Sequence, residues 1–569
     1  MKTRTHRKWV LGILLSAMAV LTLVTISISH DAPSLAIATH IVHPTVTATL
    51  RESDIARRHA VMPFALNRAI NFNYRALQHN RLASPDLSTS LWFKDGWYPS
   101  TGGLVSPNDQ PHADTFFEDY GVNPFIDTDD DSLSTFAVDV DTAAYTVMRH
   151  FVHDGFLPPD ESVRVEEYIN FFEQDYLPPT DGPFAIHLEA APSPYRPEPY
   201  YLARVGIQGY ETPSEDRQDV VLTFVIDVSG SMGYENRLEQ VKDALALLVE
   251  ELRPSDKVGI VTYGDYAEVV LAHTPVGETQ WHILRAIAGL RAGGSTYAEA
   301  GLGTGYDLAT EAFDPEFINR VILCSDGVAN VGRTGHEAIL SQFQNSAANQ
   351  IYLTTVGFGM GNYNDILMEQ LADNGDGFYT YVDSLKEAER VFVHDLTSTL
   401  QVIARDAKIQ VEFNPAVVSR YRLVGYENRD VADEDFRNDA VDAGEIGAGH
   451  SVTALYEFKL HSDGPATGTV LTVSLRHEDP ESGEVAETSR AFGRTDFSET
   501  LDEASPRFQL DAVVAEYAGI LRHSYWARDA SLEEVSRKAR AVARHFPGDT
   551  DVQEFAELVR QAVYLSDSG

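Results

Sequence analysis

Between Val221 and Val382, short apolar runs alternate with stretches in which apolar residues recur every third or fourth position. The runs Val221 to Asp227, Lys257 to Tyr263, Arg320 to Cys324, Ile351 to Gly357 and Gly377 to Val382 predict strands, mostly buried on both faces. Leu238, Val241, Leu245, Leu248, Val249 and Leu252 fall on one helical face and predict a helix packed on a sheet. This alternation predicts an α/β fold with a doubly wound, mostly parallel sheet over residues 216–400. A further run, Ala267 to Ala272, follows Tyr263 too closely for a crossover helix, so it should pair antiparallel as a hairpin.

The flanks have different rhythms. Leu133 to Val140 reads as a strand, Thr142 to Phe156 as a helix capped by Asp141 or Thr142, and Val163 to Phe172 as a second helix. With strands at Phe184 to Glu189 and Tyr201 to Ile207, residues 117–215 read as a small N-terminal α+β module. After Leu400 come strand patterns at Lys408 to Phe413, Val418 to Tyr426, Ser451 to Leu460 and Thr467 to Leu475, with Gly444 to Gly449 as a loop. Residues 401–500 therefore read as β-rich and sandwich-like. Helical patterns at Phe508 to Leu521, Leu532 to His545 and Val552 to Tyr564 fill 505–566 and complete a C-terminal domain, 401–569.

At the N-terminus, Lys2, Arg4, Arg7 and Lys8 precede an uncharged stretch from Trp9 to Ser29, long enough as a helix to cross the roughly 30 Å hydrocarbon layer. Residues 1–38 are a signal peptide or a membrane anchor, with Ala36-Ile37-Ala38 as a candidate cleavage site. Either reading leaves the basic flank inside and the body extracytoplasmic, membrane-anchored or secreted. Residues 39–116 read as a spacer, locally basic and then rich in Pro, Gly, Ser and Asn.

A chain of 569 residues carrying 85 acidic and 44 basic side chains, net −41, presents a surface that repels phosphate backbones, which excludes nucleic acid as a partner. The single cysteine, Cys324, lies in an apolar run and reads as a buried thiol, and no intramolecular disulfide can form. Asp127, Asp129 and Asp131 do not make a calcium loop, because Ser132 occupies the position of the turn glycine and Val138 that of the bidentate glutamate. They read as an acidic turn.

The chemistry concentrates at Asp227-Val228-Ser229-Gly230-Ser231-Met232, directly after the first strand of the α/β region. A carboxylate and two hydroxyls at alternate positions on a glycine turn offer oxygens to a hard divalent cation. Open α/β sheets bind ligands at the carboxyl ends of their strands, where this turn falls. Gly293-Gly294-Ser295-Thr296 supplies a third hydroxyl, Thr296, and Ser325-Asp326-Gly327 a second carboxylate at a neighbouring strand end.

This set resembles the metal-ion-dependent adhesion site of von Willebrand factor type A domains. The resemblance implies that Ser229, Ser231 and Thr296 contact Mg²⁺ directly, with Mn²⁺ or Ca²⁺ as possible substitutes, and that Asp227 and Asp326 act largely through water. It also implies an open coordination position, filled by an acidic residue of a partner protein. Leu133-Ser134-Thr135-Phe136, Asp139-Val140-Asp141-Thr142, Val163-Arg164-Val165-Glu166-Glu167, Gly357-Phe358-Gly359 with Gly361-Asn362-Tyr363-Asn364-Asp365, and Gly444-Glu445-Ile446-Gly447-Ala448-Gly449-His450 resemble the bacterial YfbK-like group within this class. Many members of that group carry a lipid-attachment cysteine, which this chain lacks.

No phosphate loop, zincin motif or nucleophile elbow occurs in the chain, and His273 and His336 fall in loops or helix starts. Mg²⁺ held mainly by neutral hydroxyls keeps much of its charge and attracts a carboxylate, so metal-dependent protein binding is expected rather than catalysis. A scaffold with a purely structural metal and, less readily, a metal-dependent hydrolase are the alternatives. Acidic loops at Asp127 to Asp131 and Asp430 to Asp435 are candidates to occupy the open position in cis.

Overall fold

The computed structural model describes residues 117–568 except 198, 214–215, 328–349, 361–362, 397–399, 442, 463, 466 and 481. The signal or anchor at 1–38, the spacer at 39–116, His336, Gly361 and Asn362 lie outside the described residues.

The chain first lays down β1 (Ile126–Asp127) and β2 (Leu133–Ala137), then α1 (Ala143–His153), α2 (Val165–Asn170), β3 (Phe184–Pro192) and β4 (Tyr200–Gly209). Thr142 stands at the N-cap of α1 but makes no side-chain capping bond. The carboxylate of Glu167, in α2, accepts from the Ala144 N–H instead at 2.7 Å.

The α/β region follows as β5 (Val220–Asp227), α3 (Arg237–Glu251), β6 (Lys257–Tyr263), β7 (Ala267–Pro275), α4 (Gln280–Gly289), α5 (Ala298–Glu311), β8 (Ile318–Ser325), β9 (Ile351–Phe358), α6 (Asp365–Asp373), β10 (Tyr379–Val382) and α7 (Leu385–Glu389). Its sheet has the order β10-β9-β8-β5-β6-β7, all parallel except the β6–β7 hairpin. The α/β fold expected from the alternation is present, including the antiparallel edge. Every residue of β5, β8 and β9 is buried. Helix α5 comes close enough for a side chain at Gly301 to collide with the Tyr263 ring, so glycine lets helix and sheet meet. Cys324 is fully buried, and burial pushes its thiol pKa up, away from reactivity. His273 is on β7 rather than in a loop, where its Nε2 meets the Thr223 hydroxyl at 3.0 Å and burial lowers its pKa to about 4.

The remaining strands are β11 (Val402–Phe413), β12 (Val418–Val424), β13 (Gly444–Gly447), β14 (Ser451–Leu460), β15 (Thr469–Glu478) and β16 (Val485–Gly493), followed by α8 (Pro506–Leu521), α9 (Leu532–Val542) and α10 (Thr550–Ser568). One sheet runs β1-β12-β14-β4-β3 and the other β13-β11-β15-β16, with β2 paired to β11. The strands of 117–215 are thus shared between the two sheets of the C-terminal region, and side chains from both segments fill one core. Gly444 to Gly449 begins as a strand, not a loop, because Gly444–Gly447 pairs with the start of β11. The sequence reading missed β16, whose outer residues are nearly all exposed and show no apolar period.

The α/β region is tied to this scaffold by buried charge. Arg149 in α1 reaches Asp383 at 2.6 Å and Glu387 at 2.8 Å, and Asp141 accepts from the Tyr379 N–H at 2.9 Å. Arg164 pairs with Glu167 and with Asp365 at 2.8 Å, and Arg429, just beyond β12, reaches Asp139 and Asp373, each at 2.9 Å. The acidic loops considered as cis occupants are engaged on the sandwich, where Asp127 pairs with Arg420 at 2.7 Å and Asp433 accepts from the Thr135 hydroxyl.

Candidate metal centre

Strand β5 sits between β8 and β6, the point at which the sheet winds in opposite directions, and Asp227 is its last residue. The Asp227 side chain is fully buried. Its Oδ1 accepts from the Ser229 N–H at 2.7 Å and its Oδ2 from the Ser325 hydroxyl at 3.0 Å. The hydroxyls of Ser229 and Ser231 are 3.0 Å apart, and both side chains are buried. Asp326, also fully buried, follows β8 on the neighbouring strand end.

Thr296 is brought in by backbone. The Gly230 N–H donates to the Gly294 carbonyl at 2.9 Å and the Gly293 N–H to the Val228 carbonyl at 2.7 Å, clasping the two loops together. Thr296 follows that clasp directly, buried at the entry to α5. The loops carrying all five sequence-derived residues, Asp227, Ser229, Ser231, Thr296 and Asp326, therefore converge at the carboxyl end of β5.

Burial and, after it, the neighbouring Asp326 charge push the Asp227 carboxyl up to about 7. Two buried, neighbouring carboxylates, beside paired hydroxyls, form a set that a divalent cation would neutralise. Among the described residues, no group of three or more His, Cys, Asp or Glu is disposed to hold a metal, so a cation here would depend on the hydroxyls of Ser229, Ser231 and Thr296 together with the two aspartates. Such a cation would supply Lewis-acid charge and attract a carboxylate.

Arg237 was not singled out by sequence reasoning, and Ser325 and Gly359, though part of the motifs quoted, were given no role at the site. Arg237 opens α3, is buried, and places its Nη1 3.1 Å from Asp326 Oδ2. Gly359 makes room for it, with φ +78° and a surface on which any β-carbon would overlap the Arg237 side chain. A cation in the first turn of a helix opposes the helix dipole, and that was the available signal that Arg237 answers to a nearby carboxylate. Arg237 and a metal would compete for the charge of Asp326. Arg237→Gln is expected to tighten Mg²⁺ binding about tenfold by titration calorimetry, the scale of one charge-assisted contact; unchanged or weaker binding would show that the guanidinium does not oppose the metal.

Comparison with known proteins follows the same outline. Residues 222–395 match the von Willebrand factor type A domain family, residues 111–202 the von Willebrand factor family, and residues 398–565 the family described as "Uncharacterized protein YfbK, C-terminal". The chain is 34% identical over 476 residues to YfbK of Escherichia coli strain K12, covering 79% of this chain and 81% of that one. The chain belongs to the YfbK family of von Willebrand factor type A domain proteins. Human inter-alpha-trypsin inhibitor heavy chain H3 is 30% identical over 166 residues, 28% of this chain and 18% of that one. A solved structure of a von Willebrand factor type A protein from Catenulispora acidiphila is similar with a TM-score of 0.37 at 16% identity, covering 61% of this chain and 80% of that one. The match to the von Willebrand factor type A domain supports a protein-interaction role for residues 222–395.

Proposed function

We propose that this chain is an extracytoplasmic protein-binding protein, serving adhesion or complex assembly. Its type A domain holds Mg²⁺ through Ser229, Ser231, Thr296, Asp227 and Asp326, and the metal accepts a carboxylate from a partner protein. The observation that carries this reading is Asp227, fully buried at the switch point of the sheet, hydrogen-bonded to the serine loop and charge-coupled to Asp326. A buried pair of acids is costly unless a cation offsets it, and hydroxyl ligands leave that cation with charge to share. The site therefore suits binding more than hydrolysis, which calls for a second metal or a poised base.

The test is binding of an acidic peptide to the full chain, with and without Mg²⁺. Binding is expected to require the metal, to vanish with EDTA, and to be absent for the amidated peptide. Mg²⁺ that binds while the peptide does not would identify a purely structural ion. A pull-down from native membranes under the same two conditions would then identify the partner.

A further inference from the structure

A cavity of about 220 Å³ lies where the turn between β3 and β4, strand β12 and the α8–α9 connection meet. It contains no residue of the type A domain. Its walls include Arg196, Arg422 and Arg522, together with Tyr195, Tyr525 and Trp526. The guanidinium carbons of Arg196 and Arg422 stand 4.9 and 5.3 Å from the Trp526 ring, which holds both groups in place as cation–π partners.

The charges around this cavity do not balance locally. Arg522 has its own carboxylate, Glu427, in a bidentate pair at 2.9 and 3.0 Å. Lys538 has Glu516 at 2.7 Å, and Arg528 has Asp529 at 3.6 Å. Arg196 and Arg422 share one carboxylate: the Arg196 Nε is 3.2 Å and the Arg422 Nη2 3.1 Å from the fully buried Glu457. Within that trio, and among the described residues, one positive charge is left over beside a cavity, in a chain of net charge −41. The other lining acid, Glu534, balances the total around the cavity, but it lies 3.9 Å from Lys538 and forms no ion pair with Arg196 or Arg422 among the described residues.

Arg422 is 4% exposed, and among the described residues its Nε has no hydrogen-bond partner. Burial lowers its pKa despite Glu457, as expected for a cation whose countercharge is divided. A buried guanidinium in that condition is stabilised by an added anion.

We propose that this cavity is a binding site for a small organic monocarboxylate with an aromatic or apolar body. The single surplus charge matches a monoanion and not a phosphate dianion. Arginine presents its donors in the planar fork that carboxylates accept. Tyr195, Tyr525 and Trp526 line the cavity where the body of the ligand would lie, and the volume, below the roughly 300 Å³ of ordinary drug-sized pockets, sets its small size. Binding would join the β3–β4 turn to the C-terminal helices, giving this part of the chain a ligand-sensing surface separate from the metal centre.

The probe is sodium benzoate, titrated calorimetrically into the full chain, with benzyl alcohol and inorganic phosphate as controls. Saturable benzoate binding is expected, with no binding of the alcohol and weaker binding of phosphate. Arg196→Gln removes the surplus charge but leaves the buried Arg422–Glu457 pair, and should weaken benzoate at least about tenfold. Glu457→Gln enlarges the surplus and should strengthen it. Opposite shifts in the two variants cannot come from general damage to the fold. Absence of saturable benzoate binding, phosphate binding as tight as benzoate, wild-type affinity in Arg196→Gln, or no gain in Glu457→Gln would each overturn the proposal.

Discussion

Asp227→Ala is expected to weaken Mg²⁺ binding on the order of 100-fold in titration calorimetry, and Ser229→Ala, Ser231→Ala and Thr296→Ala about tenfold each. The ranking follows from connectivity. Asp227 holds the serine loop through the Ser229 N–H, receives the Ser325 hydroxyl and faces Asp326, so its loss removes charge and loop geometry together. Each hydroxyl contributes one neutral oxygen. Asp227→Asn separates the two contributions, because an amide oxygen can still accept from Ser229 while the charge is gone. Its metal-free stability at pH 8 should equal or exceed that of the wild type, since burial and Asp326 make the Asp227 charge unfavourable. Equal Mg²⁺ affinity in Asp227→Ala and the wild type would remove the metal assignment.

The α/β region was legible because its strands are buried on both faces and its helices on one, and those two conditions write different periods into the sequence. β5, β6 and β9 began within one residue of the expected positions for that reason. Asp227, Ser229, Ser231 and Asp326 could be picked out as candidates because they sit at the ends of β5 and β8. Thr296 lies instead on the loop from α4 to α5, which backbone bonds between Gly230 and Gly294 and between Gly293 and Val228 hold against the serine loop. Arg237 was not legible, because its role depends on an Asp326 that is distant in sequence and on a glycine, Gly359, that is more distant still. The sharing of sheets between 117–215 and 401–500 was invisible for the same reason. A strand's apolar pattern states that it has a buried face and says nothing of which strand lies beside it. β4 pairs with β14 along nearly its whole length, across a sequence gap that holds the entire α/β region.

Arg429→Ala should lower the unfolding free energy by about 3–5 kcal/mol, the usual effect of removing one partner from a buried ionic network. Arg429 is 2.9 Å from Asp139 and from Asp373, 3.5 Å from Glu369 and 3.6 Å from Asp141. Asp373 and Glu369 belong to the α/β region, Asp139 and Asp141 to the N-terminal segment, and Arg429 to the sandwich, so one guanidinium holds three parts of the chain. Arg164 reaches Glu369 at 3.6 Å but is otherwise paired with Glu167 and Asp365, so it offsets only part of the loss. The penalty should depend on pH, with a sign set by the acids left behind. Burial pushes Glu369 up to about 7, and raises Asp373 and Asp141 above the usual carboxylate range. Groups raised in the folded state contribute stability that is complete below their unfolded pKa, near 4.5 for Glu369, and is lost as pH rises through about 7. At pH 6 a proton can therefore take over part of the task of Arg429. At pH 8 it cannot, and the carboxylates repel. Urea unfolding of both proteins at the two pH values should give a larger loss at pH 8 than at pH 6, and a loss independent of pH would mean that these acids are neutralised by some other means than Arg429.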